Sequence, residues 1–170
     1  MKRFAVIGQP IAHSLSPRIH RAFAEQTDIA LSYEAIEVAP EALAGQLAQW
    51  HREAWSGLNV TLPHKTAVPA ACVDCSERAR VAEAVNTLCH LDNGWYGDNT
   101  DGEGLLRDLV DNLDVAVANQ RILVLGAGGA ARGILLPLLQ RRPAELVLSN
   151  RTPWKPEAIA EAMAEHASQD

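Results

Sequence analysis

Short runs in which apolar and polar residues alternate are separated by stretches in which apolar residues recur every three to four positions. Arg3–Ile7, Leu31–Val38 and Gly57–Thr61 have the length and the period of strands. Pro17–Gln26 and Pro40–Glu53 carry helical spacing, each opened by a proline at the position where a missing N–H costs nothing. Ser76 is the expected N-cap of a shorter helix over Ser76–Ala84. Asp92-Asn93-Gly94 lies between two β-rich runs and predicts a hairpin. From Thr100 the pattern turns helical, with Leu105, Leu106, Leu109, Val110 and Leu113 on one face. A strand at Arg121–Gly126, a helix from about Ala130 to Arg141, a strand at Glu145–Asn150 and a helix at Pro156–Ala167 complete the chain.

Strands alternating with helices predict α/β architecture with a mostly parallel sheet. The stretch "VLGAGGAARG" sits between a strand and a helix, the setting a dinucleotide fingerprint requires. Gly126 permits the tight turn, Gly128 lets the backbone approach a pyrophosphate and Ala131 allows close helix–strand packing. Ala127, Gly129 and Ala130 complete the loop at a helix N-terminus, which favours negative charge. At the end of the next strand an NAD site usually offers a carboxylate to the ribose hydroxyls. Here stand Asn150, Arg151 and Thr152, with Lys155 close behind, and a guanidinium suits a 2′-phosphate. The expected cofactor is therefore NADP. The chain then divides into an N-terminal α/β lobe, residues 1–102, and the first part of a Rossmann-type lobe, residues 103–170, joined along the helix Gly102–Leu113. Two strands make a poor free-standing sheet, and a parallel sheet that stops there leaves an edge and apolar surface uncovered.

Composition sets outer limits. Of 170 residues, 48% are hydrophobic and 21% charged, the balance of a globular chain. A net charge of −6 offers no basic field for nucleic acid or an anionic membrane. No apolar run approaches the ~20 residues that span a bilayer. The apolar run in "MKRFAVIGQP" is too short for a signal-peptide core, which points to the cytoplasm. Cys72 and Cys75 have the spacing of a redox or zinc pair, but no second pair and no His pair completes four ligands. With Cys89 they are expected to be ordinary, partly buried thiols.

Four polar clusters fall at strand ends or loops of the first lobe: His13–Pro17, Asn59–Lys65, Val85–Thr87 and Asn99–Gly102. They supply hydroxyls (Ser14, Ser16, Thr61), amides (Asn59, Asn86), one cation (Lys65) and one carboxylate (Asp101). That inventory suits a ligand with several hydroxyls and a carboxylate, and is too poor in carboxylates for a metal. Each cluster also has a plain reading, with Ser16 as the N-cap before Pro17 and with Asn99 and Asp101 as turn formers. Lys65 and Asp101 are the candidate proton-transfer pair beside a hydride carrier, or else a structural ion pair. His13, His20 and His64 receive no catalytic role, and Trp50, Trp55, Trp95 and Trp154 are expected to pack.

"GQPIAHSLSPRIH", "GLNVTLPHK", "AVNTL", "NTDGEG", "VLGAGGAARG" and "NRTPWK", in this order and spacing, closely resemble the shikimate dehydrogenase family. The resemblance implies reversible, NADP-linked reduction of 3-dehydroshikimate to shikimate in aromatic amino-acid biosynthesis. It implies that Ser14 and Ser16 hold the substrate carboxylate, and that Asn59, Thr61, Asn86 and Asp101 bind ring hydroxyls. Lys65 would be the main proton donor and acceptor, partnered by Asp101. Gly126–Gly129 would take the pyrophosphate, and Asn150, Arg151, Thr152 and Lys155 the 2′-phosphate side. Family members are longer, so the chain is expected to be truncated at its C-terminus, or to rely on another chain, a homo-oligomer included. Two further readings stay open: a shikimate-binding fragment without turnover, and a quinate/shikimate dehydrogenase that uses NAD.

Overall fold

A computed structural model describes residues 1–167, which form two compact units: Met1–Ser76 with Val85–Asp98, and Glu77–Ala84 with the chain from Asn99 on. The first unit carries six strands: β1 (Lys2–Gly8), β2 (Leu31–Glu37), β3 (Gly57–Val60), β4 (Cys72–Cys75), β5 (Thr87–Leu91) and β6 (Gly94–Asp98). Their order is β2-β1-β3-β5-β6-β4. β1 is parallel to β2 and β3, and β4 to β6. β5 is antiparallel to β3, and also to β6, to which the tight turn after Leu91 joins it. The mostly parallel α/β sheet is present, with the expected hairpin set into it.

Helices α1 (Ser16–Thr27) and α2 (Leu43–Arg52) belong to this unit. α1 starts at Ser16 itself, so Ser16 is not the N-cap; Leu15 holds that position without a side-chain cap, and Ser14 Oγ accepts the Ser16 N–H at 3.3 Å in the turn before the helix. The helix expected from Pro40 begins as a 3-10 turn, Pro40–Ala42, and becomes α only at Leu43. Ile7, Leu47, Leu58, Val60, Leu88 and Trp95 form the buried interior. Strand β4 was not expected: "CVDC" has too little apolar pattern to declare itself, and its pairing with β6 makes it a strand.

The second unit contains α3 (Glu77–Ala82), α4 (Asp101–Arg107) continued by a wider π turn at Asp108–Asn112, β7 (Arg121–Leu125), α5 (Gly129–Gln140), β8 (Glu145–Ser149) and α6 (Trp154–Ala167). α3 is shorter than expected, and the Ser76 hydroxyl donates to Asp98 Oδ1 at 2.5 Å within the first unit. β7 and β8 form a separate parallel pair. One face of this pair is packed: Ile122, Val124 and Leu146 against Leu106, Val117 and Leu138, and Leu148 against Ala127, Leu135 and Ile159. The other face leaves Leu123 61%, Leu125 77% and Val147 43% exposed, the uncovered apolar surface that a two-stranded sheet predicts. Trp154 departs from expectation. As the first residue of α6 it is 63% exposed, with the Lys155 ammonium 5.8 Å from the ring centroid, whereas Trp50, Trp55 and Trp95 are buried.

Candidate functional site

The C-terminal ends of β1 and β3 lie side by side because β1 pairs with β3 in parallel. The chain leaving β1 runs through Pro10 to Ser14 and Ser16, and the chain leaving β3 through Thr61 to Lys65. Backbone bonds join these loops: Gln9 N–H donates to Leu62 C=O at 2.9 Å, and Thr61 N–H to Ile7 C=O at 2.9 Å. Val60 N–H reaches Asn86 C=O at 2.7 Å, and Val85 N–H reaches Lys65 C=O at 2.8 Å. The first unit thus gathers Asn59, Thr61, Lys65 and Asn86 through main-chain bonds. All four side chains are neither fully buried nor fully exposed, as donors facing a ligand need to be. His64 is 1% exposed, with Nε2 2.8 Å from Val38 C=O, a structural partner beside Lys65.

A second line of polar groups crosses one face of the sheet. In register, Phe4 lies level with Tyr33 on one side and Gly57 on the other, and Asn59 lies level with Thr87. Tyr33 therefore reaches diagonally over β1 to Asn59, and its O–H donates to Asn59 Oδ1 at 2.6 Å. Asn59 Nδ2 faces Thr87 Oγ1 at 3.5 Å, and that hydroxyl donates to Asn86 Oδ1 at 2.8 Å. Tyr33 is also hydrogen-bonded to Ser16, and burial pushes its phenol up to about 12, a shift the Ser16 bond opposes. The neutral phenol stays a donor well above neutral pH. His20 of α1 stacks on Tyr33 at 4.0 Å and 7°, and burial lowers its pKa. Phe4, His20, Tyr33, Asn59 and Thr87 line a pocket of about 220 Å³.

The remaining predicted residues belong to the second unit. Asp101 is the first residue of α4, where its N–H donates to Asn99 Oδ1 at 3.1 Å. Asn99 is 1% exposed and donates to Ala84 C=O at 2.9 Å. In the loop after β7, Gly126 has φ +113°, a conformation that favours glycine, and its N–H donates to Ser149 C=O at 2.7 Å. Side chains added at Gly126 or Gly128 would meet open space, so the backbone in front of α5 is bare on that side. Ala127 N–H donates to Asn150 Oδ1 at 3.3 Å, and Asn150 Nδ2 to Thr152 C=O at 3.2 Å, which ties the loop to the end of β8. Gly129 and Ala130 begin α5, while Arg151 and Lys155 are exposed. An open glycine loop, a helix N-terminus and two cations after β8 fit a phosphate-rich dinucleotide.

Residues 6–88 match the family described as the shikimate dehydrogenase substrate binding domain. The chain is 51% identical over 165 residues to shikimate dehydrogenase (NADP(+)) of Aromatoleum aromaticum, covering 97% of this chain and 59% of that protein. It resembles the crystal structure of an Ael1 enzyme from Pseudomonas putida, with a TM-score of 0.89 at 43% identity over 96% of this chain and 60% of that one. Similarity to shikimate 5-dehydrogenase from Thermus thermophilus, solved in complex with NADP(H) and shikimate, has a TM-score of 0.89 at 39% identity, over 96% of this chain and 61% of that one. This chain is similar to shikimate dehydrogenases along nearly its whole length. It spans about three-fifths of the length of the relatives it matches.

Three residues outside the predicted set support it. Tyr33 and Thr87 hold the amides of Asn59 and Asn86, and only the strand order brings Tyr33 across β1 to Asn59. Gly133 is the third. A Cβ there would stand 2.6 Å from Asn99 Oδ1, so the glycine lets α5 close on the amide that receives the Asp101 N–H. The run "GGAARG" signalled close packing, but nothing in it named the partner.

Proposed function

We propose that this chain is part of an NADP-dependent shikimate dehydrogenase that interconverts 3-dehydroshikimate and shikimate in the cytoplasm. The observation that carries the reading is the set Asn59, Thr61, Lys65 and Asn86, held by main-chain bonds on adjoining loops, with Asn59 and Asn86 fixed by Tyr33 and Thr87. Fixed amides and hydroxyls bind a polyhydroxylated ring at low entropic cost, and the hydroxyls of Ser14 and Ser16 take its carboxylate on this reading. Residues 1–102 serve as the substrate lobe and 103–170 as part of the dinucleotide lobe.

NADP, when bound, supplies the hydride acceptor or donor. Lys65 Nζ takes the proton of the ring hydroxyl during oxidation and returns it during reduction, with the Asp101 carboxylate as its partner. Asn59, Thr61 and Asn86 orient the ring hydroxyls. Gly126, Ala127, Gly128, Gly129 and Ala130 hold the pyrophosphate, and Asn150, Arg151, Thr152 and Lys155 the 2′-phosphate. The exposed face of β7–β8, in a chain three-fifths the length of its relatives, favours a second reading: shikimate binding without turnover.

One assay separates these readings. The chain is incubated with shikimate and NADP⁺ while nicotinamide reduction is followed, with NAD⁺, quinate and Lys65→Ala as parallel arms. Turnover that requires NADP⁺ and is lost in Lys65→Ala supports the dehydrogenase. Faster reaction with NAD⁺ or with quinate replaces it by the quinate/shikimate reading. Saturable shikimate binding without reduction supports the binding fragment, and absence of binding to the folded chain overturns both.

A further inference from the structure

We propose that Cys72 and Cys75 form an oxidisable dithiol site, which a peroxide or a small-molecule disulfide closes to an intramolecular disulfide. In a regular strand residues three apart point to opposite faces. β4 is not regular. Cys72 is level with Trp95 of β6, Asp74 with Tyr96 and Cys75 with Gly97, so Val73 is one residue too many, a β-bulge. The extra residue restores the phase and turns both thiols to one side. A Cβ built on Gly97 would stand 2.9 Å from the sulfur of Cys72 and 2.9 Å from that of Cys75. Any residue but glycine there would displace the pair. The two thiols are hydrogen-bonded to each other, and Cys72 Sγ also donates to Val68 C=O at 3.5 Å.

The bulged Val73 packs over Gly94, whose φ of +151° and missing side chain make room for it. Two glycines on β6 therefore sit opposite the two irregular features of β4. β4 is an edge strand and both thiols are half-buried, so a small reagent reaches them. Among the described residues no group of three or more His, Cys, Asp or Glu is placed to hold a metal, which leaves the paired thiols to redox chemistry.

The chemistry balances with either reagent. Burial, and then the neighbouring Cys75, raise the Cys72 thiol, and its S–H is engaged by Val68 C=O at 3.5 Å, so the first attack is assigned to Cys75. The Cys75 thiolate attacks one peroxide oxygen, the O–O bond breaks, and a sulfenic acid and hydroxide result. Cys72 sulfur then displaces the sulfenic oxygen, its proton leaves with it as water, and the S–S bond forms; two electrons have passed to the peroxide. With oxidised glutathione the intermediate is a mixed disulfide at Cys75, and the two glutathione sulfurs leave in turn as thiols.

The test equilibrates the whole chain in buffers of oxidised and reduced glutathione, quenches by alkylation and maps the peptides by mass. The native chain is expected to yield a Cys72–Cys75 disulfide two hydrogens lighter, with Cys89 alkylated. Its equilibrium constant is expected to exceed that of the same chain in denaturant by about tenfold, ~30 mV in reduction potential. Cys72→Ser should stop at the mixed disulfide on Cys75. A constant equal to or below that of the denatured chain, or a disulfide made to Cys89 instead, overturns the proposal.

Discussion

In the six-stranded unit Leu58, Val60 and Leu88 are no more than 2% exposed, whereas in the two-stranded unit Leu123 and Leu125 are 61% and 77% exposed. Both sheets are built from β-prone apolar runs, so the difference lies in what covers them. The first has six strands, flanking helices and strand ends tied together by main-chain bonds. The second has one packed face and one bare one. Rigid placement of polar side chains depends on the covering. Asn59 and Asn86 are therefore fixed by their neighbours, while Arg151 and Lys155 extend from a unit with half its sheet covered.

The contrast is broken most sharply by one pair of truncations. Leu88→Ala should cost about 2–5 kcal/mol by leaving a cavity in a closed core, whereas Leu125→Ala should stay within about 0.5 kcal/mol. Chemical denaturation of both variants checks this, and equal losses would mean that the β7–β8 face is covered in solution.

Gly102→Ala should cost about 1–3 kcal/mol, because its Cβ would meet Pro137 Cγ at 2.5 Å and Gly133 C=O at 2.6 Å. A helix gaining alanine for glycine normally gains stability, so even the sign of the measured change is informative.

Tyr33→Phe should lower stability by about 1 kcal/mol through the unpaired Asn59 oxygen, and weaken shikimate binding several-fold. It has a pH signature as well. The Tyr33 phenol is raised from 10.0 to about 12 in the fold, so its contribution is complete below pH 10 and fades as the pH climbs through about 12. Burial raises Cys72 in the same direction, so the decisive quantity is the part of the alkaline fall that Tyr33→Phe abolishes.

A small effect is expected at Arg132→Ala. Arg132 Nη1 meets Glu83 Oε2 at 2.5 Å, with the Glu83 side chain 64% exposed, and exposed pairs contribute less than about 1 kcal/mol. A loss that persists in high salt would show a packing role in place of an electrostatic one.

Elements with a clear period were legible in the sequence: strands β1 to β3, the Asp92–Gly94 hairpin, and the β7–α5–β8 run all fall within a residue or two of expectation. β4 was not, because a bulged four-residue edge strand has no period to read and exists through its pairing with β6. The residues Asn59 to Lys65, from within β3 into the loop after it, stood out as a dense polar cluster. Tyr33 did not, since it lies 26 residues from Asn59 and looks like any strand aromatic until β1 is placed between them. Ser16 was misread as a cap because α1 begins one residue earlier than Pro17 suggests, which leaves Leu15 at the cap and Ser16 inside the first turn.

The most direct measurement is calorimetric titration of shikimate into the wild-type chain and into Tyr33→Phe and Asn59→Ala. A preorganised substrate lobe predicts saturable binding by the wild type, weaker in Tyr33→Phe and weakest in Asn59→Ala, with all three chains folded by circular dichroism. Identical affinities in all three, or no binding by a folded wild type, would contradict it.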